Sequence, residues 1–277
     1  MDSTTCPNRV ILWAIPRSLS TAFVRCMERV PNTKIIFEPY SSADHFGPEG
    51  RLRAIDELPP EPEWTFQAVK DHLEEDHSDS DLVFVKDMAY AVDDKYEMIA
   101  SGYQHTFIIR HPAKMFVSYY KSICDGNSND EEDIDEIFDK WLPSGLCYRE
   151  LFDLYEHIIK SGSSEPLIID ADDLIEDPES IMSLYCRGVG VGFSDSILKW
   201  GVGTIDKWSV SQVLWDVAPS YKWFDNSMKA GGFQKGVSKP IPNFSDLPNK
   251  IVDCIEASMP FYESLYRQRI QSPGTNE

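Results

Sequence analysis

The 277 residues, 42% of them hydrophobic, can bury one large core, and a single α/β domain over 1–277 is the economical expectation. The net charge of −20 argues against nucleic acid, anionic membrane surfaces and polyanionic acceptors, because each needs a cationic face and no Lys/Arg-rich run supplies one. No stretch approaches the roughly 18 apolar residues of a membrane span.

Acid and hydroxyls occupy the N-terminus where a signal peptide wants cations. The six scattered cysteines show neither C-x-x-C nor Cys/His ligand spacing, so they read as reduced thiols and the expected location is cytoplasmic. The tails 1–8 and 270–277 are expected to lack order.

Val10 to Ile15 is an apolar run of the length of a buried parallel strand, and Pro16-Arg17-Ser18-Leu19-Ser20-Thr21 breaks it. Ala22, Phe23, Cys26, Met27 and Val30 then recur at helical spacing until Pro31-Asn32. Thr33 to Phe37 is a second strand, ending on Glu38-Pro39. Strand, hydroxyl-rich turn, helix and strand form half of a phosphate-binding α/β fold. The stretch 39–62 is rich in Pro, Gly and acid, and reads as a long loop serving as an acceptor-side lid.

Thr65 to His77 reads as a helix, Asp81 to Lys86 as a third strand, and 94–100 as helical. His105 to Ser122 reads as a strand ending in Arg110, a His-Pro break, and a helix carrying Ser118. Helices are expected over 134–141 and 144–159, broken at Pro143, a strand over Leu167 to Ile169, and a terminal helical region over 246–269, broken at Pro260. Strands alternating with helices imply a parallel sheet. The acidic runs 71–81 and 125–139 read as solvated faces. Gly188 to Gly192 follows a helix rather than a strand, so it lacks the context of a dinucleotide site.

The turn after the first strand carries specific chemistry. A helix N-terminus presents unsatisfied N–H groups and partial positive charge, which suits an anion. Ser18, Ser20 and Thr21 add donors, and Arg17 adds a cation with a fork matched to phosphate or sulfate. No G-x-x-x-x-G-K-[ST] occurs, so this is not a Walker A loop. Arg110 leaves the C-terminal end of a strand, where open α/β sheets place ligands, and with Ser118 it could bind a second, separate phosphate.

PRSLST together with IIRHPAKMFVSYYKS resembles the sulfotransferases that use PAPS (3′-phosphoadenosine 5′-phosphosulfate). The resemblance implies a P-loop NTPase-like sulfotransferase fold and transfer of the sulfuryl group from PAPS to a hydroxyl of a small-molecule acceptor, releasing PAP, with no metal required. It implies that Arg17, Ser18, Leu19, Ser20, Thr21 and Ala22 hold the 5′-phosphosulfate, and that Arg110 and Ser118 hold the 3′-phosphate. PLIIDADDLIEDPESI is similar to the family's strand and D-L-x-x-D-P helix start. Gly231 to Gly236 is similar to its late loop, which would bring Phe233, Lys235 and Gly236 to the nucleotide. The aromatic stretch 193–242, with Trp200, Trp208, Trp215, Tyr221, Trp223, Phe224 and Phe233, suits an acceptor pocket, a wall for adenine, or the core of a loop-rich cap.

Sulfuryl transfer needs a base for the acceptor hydroxyl and charge stabilisation for the leaving phosphate. Arg17 and Lys86 are expected at the leaving group. Glu38 is the expected base, matching the Glu of Golgi-type members, with Asp87 second and His45 and His111 as further options. The cytosolic K-x-H is absent, since the chain reads Lys86-Asp87-Met88. Two other classes stay open: an ATP- and magnesium-dependent kinase of related fold, and a nucleotide-binding protein without turnover. The acceptor and the oligomeric state are not legible in the chain.

Overall fold

In a computed structural model of the chain, residues 7–52, 60–126, 136, 138, 142–162, 165–203, 205, 207–219 and 223–272 are described. Six strands form one sheet: β1 (Asn8–Ala14), β2 (Thr33–Phe37), β3 (Leu82–Met88), β4 (Gln104–Ile109), β5 (Leu167–Asp170) and β6 (Trp208–Ser209). Their order is β5-β4-β1-β3-β2-β6, with every pairing parallel. β1 is therefore central, and its chain continues to one side while β4 lies on the other. That is a topological switch point, with a crevice beyond the C-terminal strand ends.

Alternation along β1 splits the core in two. Ile11, Trp13 and Ile15 face one cluster, and Val10, Leu12 and Ala14 face the other. The first cluster is covered by α3 (Phe66–Glu74), α4 (Pro112–Gly126), α5 (Tyr148–Lys160) and α10 (Asn249–Tyr266). The second is covered by α1 (Ser20–Met27), α6 (Ala171–Glu176), α7 (Pro178–Gly188) and α8 (Gln212–Val217), with α9 (Asp225–Lys229) against α1. Burying both faces is what makes the strands read as nearly continuous apolar runs.

Several expectations change. The stretch after Glu38 is not loop throughout: α2 occupies Pro39–Phe46. Proline suits the first helical position, and the N-terminal N–H groups of Tyr40 and Ser41 are capped by the Asp87 carboxylate at 2.6 and 3.0 Å, a cap supplied by another strand. Residues 53–59 of that stretch lie outside the described residues.

α10 runs through Pro260 without a break, its buried face (Ile251, Ile255, Tyr262, Leu265) packing on the core. α5 starts later than expected, after Leu146 and Cys147 adopt positive φ. β6 has no counterpart in the sequence reading, because two residues are too short to show a pattern. The expected helix over 134–141 lies largely outside the described residues.

The presumed tails are partly tied down. Asn8 lies in β1, the Ile270 N–H donates to Ile168 O at 2.9 Å, and the Ser272 hydroxyl donates to Asp177 at 2.6 Å. Cys26, Cys147, Cys186 and Cys254 are buried and not joined in disulfides. Among the described residues no helix is long and apolar enough to cross a membrane.

Candidate active site

The turn between β1 and α1 is held in an uncommon conformation, with Arg17 at φ 59° and Leu19 at φ 67°. Left-handed backbone at two non-glycine residues is unfavourable and clusters at functional sites. Ser18 secures the turn: its hydroxyl is buried and donates to Ile15 O at 2.7 Å. That use takes the Ser18 side chain away from the cavity, so it is not the side-chain anion donor expected of it. Leu19, as the residue before α1, offers no side-chain cap, which leaves the N–H groups of the first turn directed at the cavity lined by Leu19, Ser20, Thr21 and Ala22.

Arg110 and Ser118 do converge on this turn. The Arg110 Nη1–H donates to the Arg17 carbonyl at 2.6 Å, and the Arg17 Nε–H donates to Ser118 Oγ at 3.2 Å. Tyr148 donates to the Arg110 carbonyl at 2.7 Å and holds the strand end in place. Burial lowers the pKa of both guanidiniums, and the charge of Arg110 lowers Arg17 further. The Arg110 Nε is buried without a hydrogen-bond partner, and among the described residues no carboxylate forms an ion pair with either arginine. Two adjacent, half-buried cations, with Asp172 and Asp170 acting on Arg110 only from beyond ion-pair distance, make a place suited to an anion.

Two cavities, of about 480 and about 570 Å³, meet at Arg17, Arg110, Ser118, Asn226 and Lys239. The first holds the α1 N-terminus and Glu38; the second is ringed by Lys114, Lys121 and Lys229. Lys114 pairs with Asp172 and Lys229 with Asp225, both at 2.7 Å. The sequence reading found no basic groove because these cations come from four separate stretches, and the structure assembles one. The exclusion of polyanions for want of such a groove is thereby withdrawn.

Glu38, also left-handed at φ 54°, opens onto the first cavity. Its Oε1 accepts from the Lys86 Nζ, which is fully buried over the Phe37 ring at 4.9 Å. Lys86 thus does not reach the cavity as expected; it is the counter-ion of Glu38. Asp87 accepts from the Tyr40, Ser41 and Met88 N–H groups and from the Ser41 hydroxyl. Burial pushes it up to about 7 against the pull of those donors. Its oxygens are committed to the start of α2, which removes it as an alternative base. His111 accepts from the Ala113 N–H at 3.2 Å and packs on Tyr262, a turn residue as read. His45, one of the further candidate bases, lines the cavity beside Tyr90, which the sequence reading did not single out.

The late loop departs most from expectation. The Phe233 N–H is bound to Leu198 O at 2.8 Å, and its ring packs on Trp200. Lys235 is exposed near Asp177, and the Gly236 N–H donates to Ile175 O at 3.0 Å. None of these three lines either of the two cavities; Val237 and Lys239, further along, do. The aromatic stretch divides: Trp200 and Trp208 fill the second core cluster, Trp223 and Phe224 line the first cavity, and Tyr221 lies outside the described residues.

An open parallel α/β sheet places its ligands in the crevice at the switch point, which is where Arg17 and Arg110 lie. The sequence profile of the sulfotransferase domain family matches residues 8–269, and the chain belongs to that family. It is similar to the branched-chain-amino-acid aminotransferase-like protein 2 of Arabidopsis thaliana, 26% identical over 273 residues covering 91% of this chain and 40% of that protein. The chain thus spans less than half the length of that relative. It is 32% identical to the sulfotransferase ppzF of Metarhizium rileyi over 93 residues, 31% of this chain and 27% of that one. Among solved structures, mouse sulfotransferase SULT7A1 complexed with PAP aligns over 94% of this chain and 89% of its own, at 12% identity and a TM-score of 0.49.

Proposed function

We propose that the protein is a PAPS-dependent sulfotransferase acting on a hydroxyl of a small-molecule acceptor and releasing PAP. The observation that carries this reading is the pair of half-buried guanidiniums, Arg17 and Arg110, with no carboxylate partner among the described residues. Apposed like charges are tolerable when a multiply charged anion joins them. The N–H groups of Ser20, Thr21 and Ala22, with Arg17, take the 5′-phosphosulfate, and Arg110 with Ser118 takes the 3′-phosphate. Lys239 replaces Lys235 as the late-loop cation at the cavity.

In the transfer, Glu38 removes the proton of the acceptor hydroxyl as its oxygen bonds to sulfur. The bond from sulfur to the bridging oxygen breaks, and its electron pair stays on the departing nucleotide. Arg17 and the α1 N-terminus face that growing charge, a stabilisation that strengthens in a site sealed from water. Lys86 holds the Glu38 carboxylate in place through their ion pair. Calorimetric titration with PAP, beside ATP with and without magnesium, tests the reading. Tight PAP binding with much weaker ATP binding supports it; magnesium-dependent ATP binding with indifference to PAP refutes it.

A further inference from the structure

The cavity onto which Glu38 opens carries a second polar pair, His45 and Tyr90, with no part in the proton transfer above. His45 lies in the last turn of α2, and Tyr90 in the 3-10 turn (Ala89–Val92) that follows β3. His45 Nδ1 is 2.6 Å from the Leu52 carbonyl oxygen, a contact that only a ring N–H satisfies. In the neutral ring the lone pair then sits on Nε2, 3.1 Å from the Tyr90 hydroxyl, so Tyr90 donates its single proton to His45. What the tyrosyl oxygen offers the cavity is lone pairs alone. Burial, with smaller contributions that include the Glu38 and Asp44 carboxylates, keeps that phenol protonated well above its ordinary range.

The pair is clamped from behind. Arg51 donates to Tyr90 O at 2.8 Å and to Asp93 O at 2.7 Å, while its Nε–H meets Asp44 Oδ1 at 3.1 Å. One side chain therefore ties the end of α2 to the turn that bears Tyr90. Phe46, Met88, Leu214 and Trp223 line the same cavity with apolar side chains. A directed acceptor in apolar surroundings discriminates strongly, because a ligand without a matching donor leaves it buried and unpaired.

Resting on the sulfotransferase reading, we propose that Tyr90 is a specificity-determining residue, positioned by His45. It selects acceptors with an apolar ring body that carry a second O–H or N–H donor beside the hydroxyl that is sulfated. The test uses the full chain saturated with PAP and six probes: the three dihydroxybenzenes and their three monomethyl ethers, each pair differing in whether the second oxygen can donate. Titration followed by calorimetry and saturation-transfer NMR gives the affinity ratio within each pair.

The expected result is a preference of about tenfold, ~1.4 kcal/mol, for at least one dihydroxybenzene over its ether. Tyr90→Phe, which keeps the ring, should bring that ratio close to one by weakening the dihydroxy compound. His45→Ala should reduce the ratio as well, which a purely structural role would not do. Equal affinities in all three pairs, a ratio that survives Tyr90→Phe, or no binding by any probe overturns the assignment. PAP affinity, measured first on the same protein, reports separately on the sulfotransferase reading: no PAP binding sinks that reading, whereas PAP binding without discrimination sinks only the role of Tyr90.

Discussion

Replacing Arg110 with alanine is the sharpest probe of the anion site. The side chain has two duties, donating through Nη1 to the Arg17 carbonyl and presenting a buried Nε–H with no partner. A hydrogen bond to a charged group is worth about 1.5–3 kcal/mol, so PAP affinity should fall by roughly 10- to 150-fold. Thermal or urea unfolding with and without PAP turns this into a second readout. At PAP 100 times the wild-type Kd, the ligand stabilises the protein by about 2.7 kcal/mol, whereas a Kd raised about 30-fold leaves about 0.9 kcal/mol of that at the same concentration. The unliganded protein should change much less, because removing a desolvated cation beside Arg17 relieves repulsion and offsets the lost bond to the Arg17 carbonyl. An Arg110→Ala protein with wild-type PAP affinity, and the same PAP-induced stabilisation, would refute the two-guanidinium argument.

Glu38→Gln should leave PAP affinity nearly intact while lowering turnover by about 100-fold or more, read as kcat under saturating PAPS; a fully active variant would move the base elsewhere. Lys86→Met leaves the Glu38 carboxylate without its buried counter-ion and should cost about 3–5 kcal/mol in urea unfolding, most of it recovered in the double variant Glu38→Gln/Lys86→Met. Equal losses in the single and double variants would mean that the pair is not coupled. Burial pushes His105 down to about 4, and its Nδ1 accepts the Trp13 indole N–H at 3.0 Å. The unfolded chain protonates near pH 6.5 while the folded ring resists, so this contribution is complete above about 6.5 and is lost as the pH falls to about 4, on the order of 3 kcal/mol in all. His105→Gln should therefore flatten the fall in urea midpoint between pH 7 and 4.5; a variant with the wild-type slope would show that His105 does not carry it.

The sequence was legible where local chemistry decides the outcome. Thr33–Phe37 is a strand over the expected residues, and Pro16 to Thr21 is a turn that opens onto the first cavity, because proline ends the strand and the following residues start a helix without a side-chain cap. It was illegible where partners meet through register. Phe37 is paired with Lys86 across β2 and β3, which brings Glu38 beside the Lys86 ammonium and sets Asp87 under the start of α2. No local pattern shows that a lysine at a strand end points inward to a carboxylate 48 positions away. The late loop failed for a related reason. A bridge between Lys199 and Gly232 and the Phe233 N–H bond to Leu198 hold the glycine-rich half against the cap, so the chain reaches the cavity only at Val237.

Net charge misleads most about the site itself. A charge of −20 governs the far field and solubility, but a ligand inside a cavity responds to the groups within about a Debye length, roughly 8–10 Å. There the local sign is reversed. Lys114 and Lys229 are neutralised by Asp172 and Asp225, yet among the described residues no carboxylate pairs with Arg17, Arg110, Lys121 or Lys239. An acidic protein with such a cavity repels anions weakly over its outer surface and offers them one place of opposite sign. That contrast favours a small, compact polyanion that can enter over an extended one that must also cross the acidic exterior. Under the proposed function, the argument against nucleic acid then rests on shape and access rather than on composition.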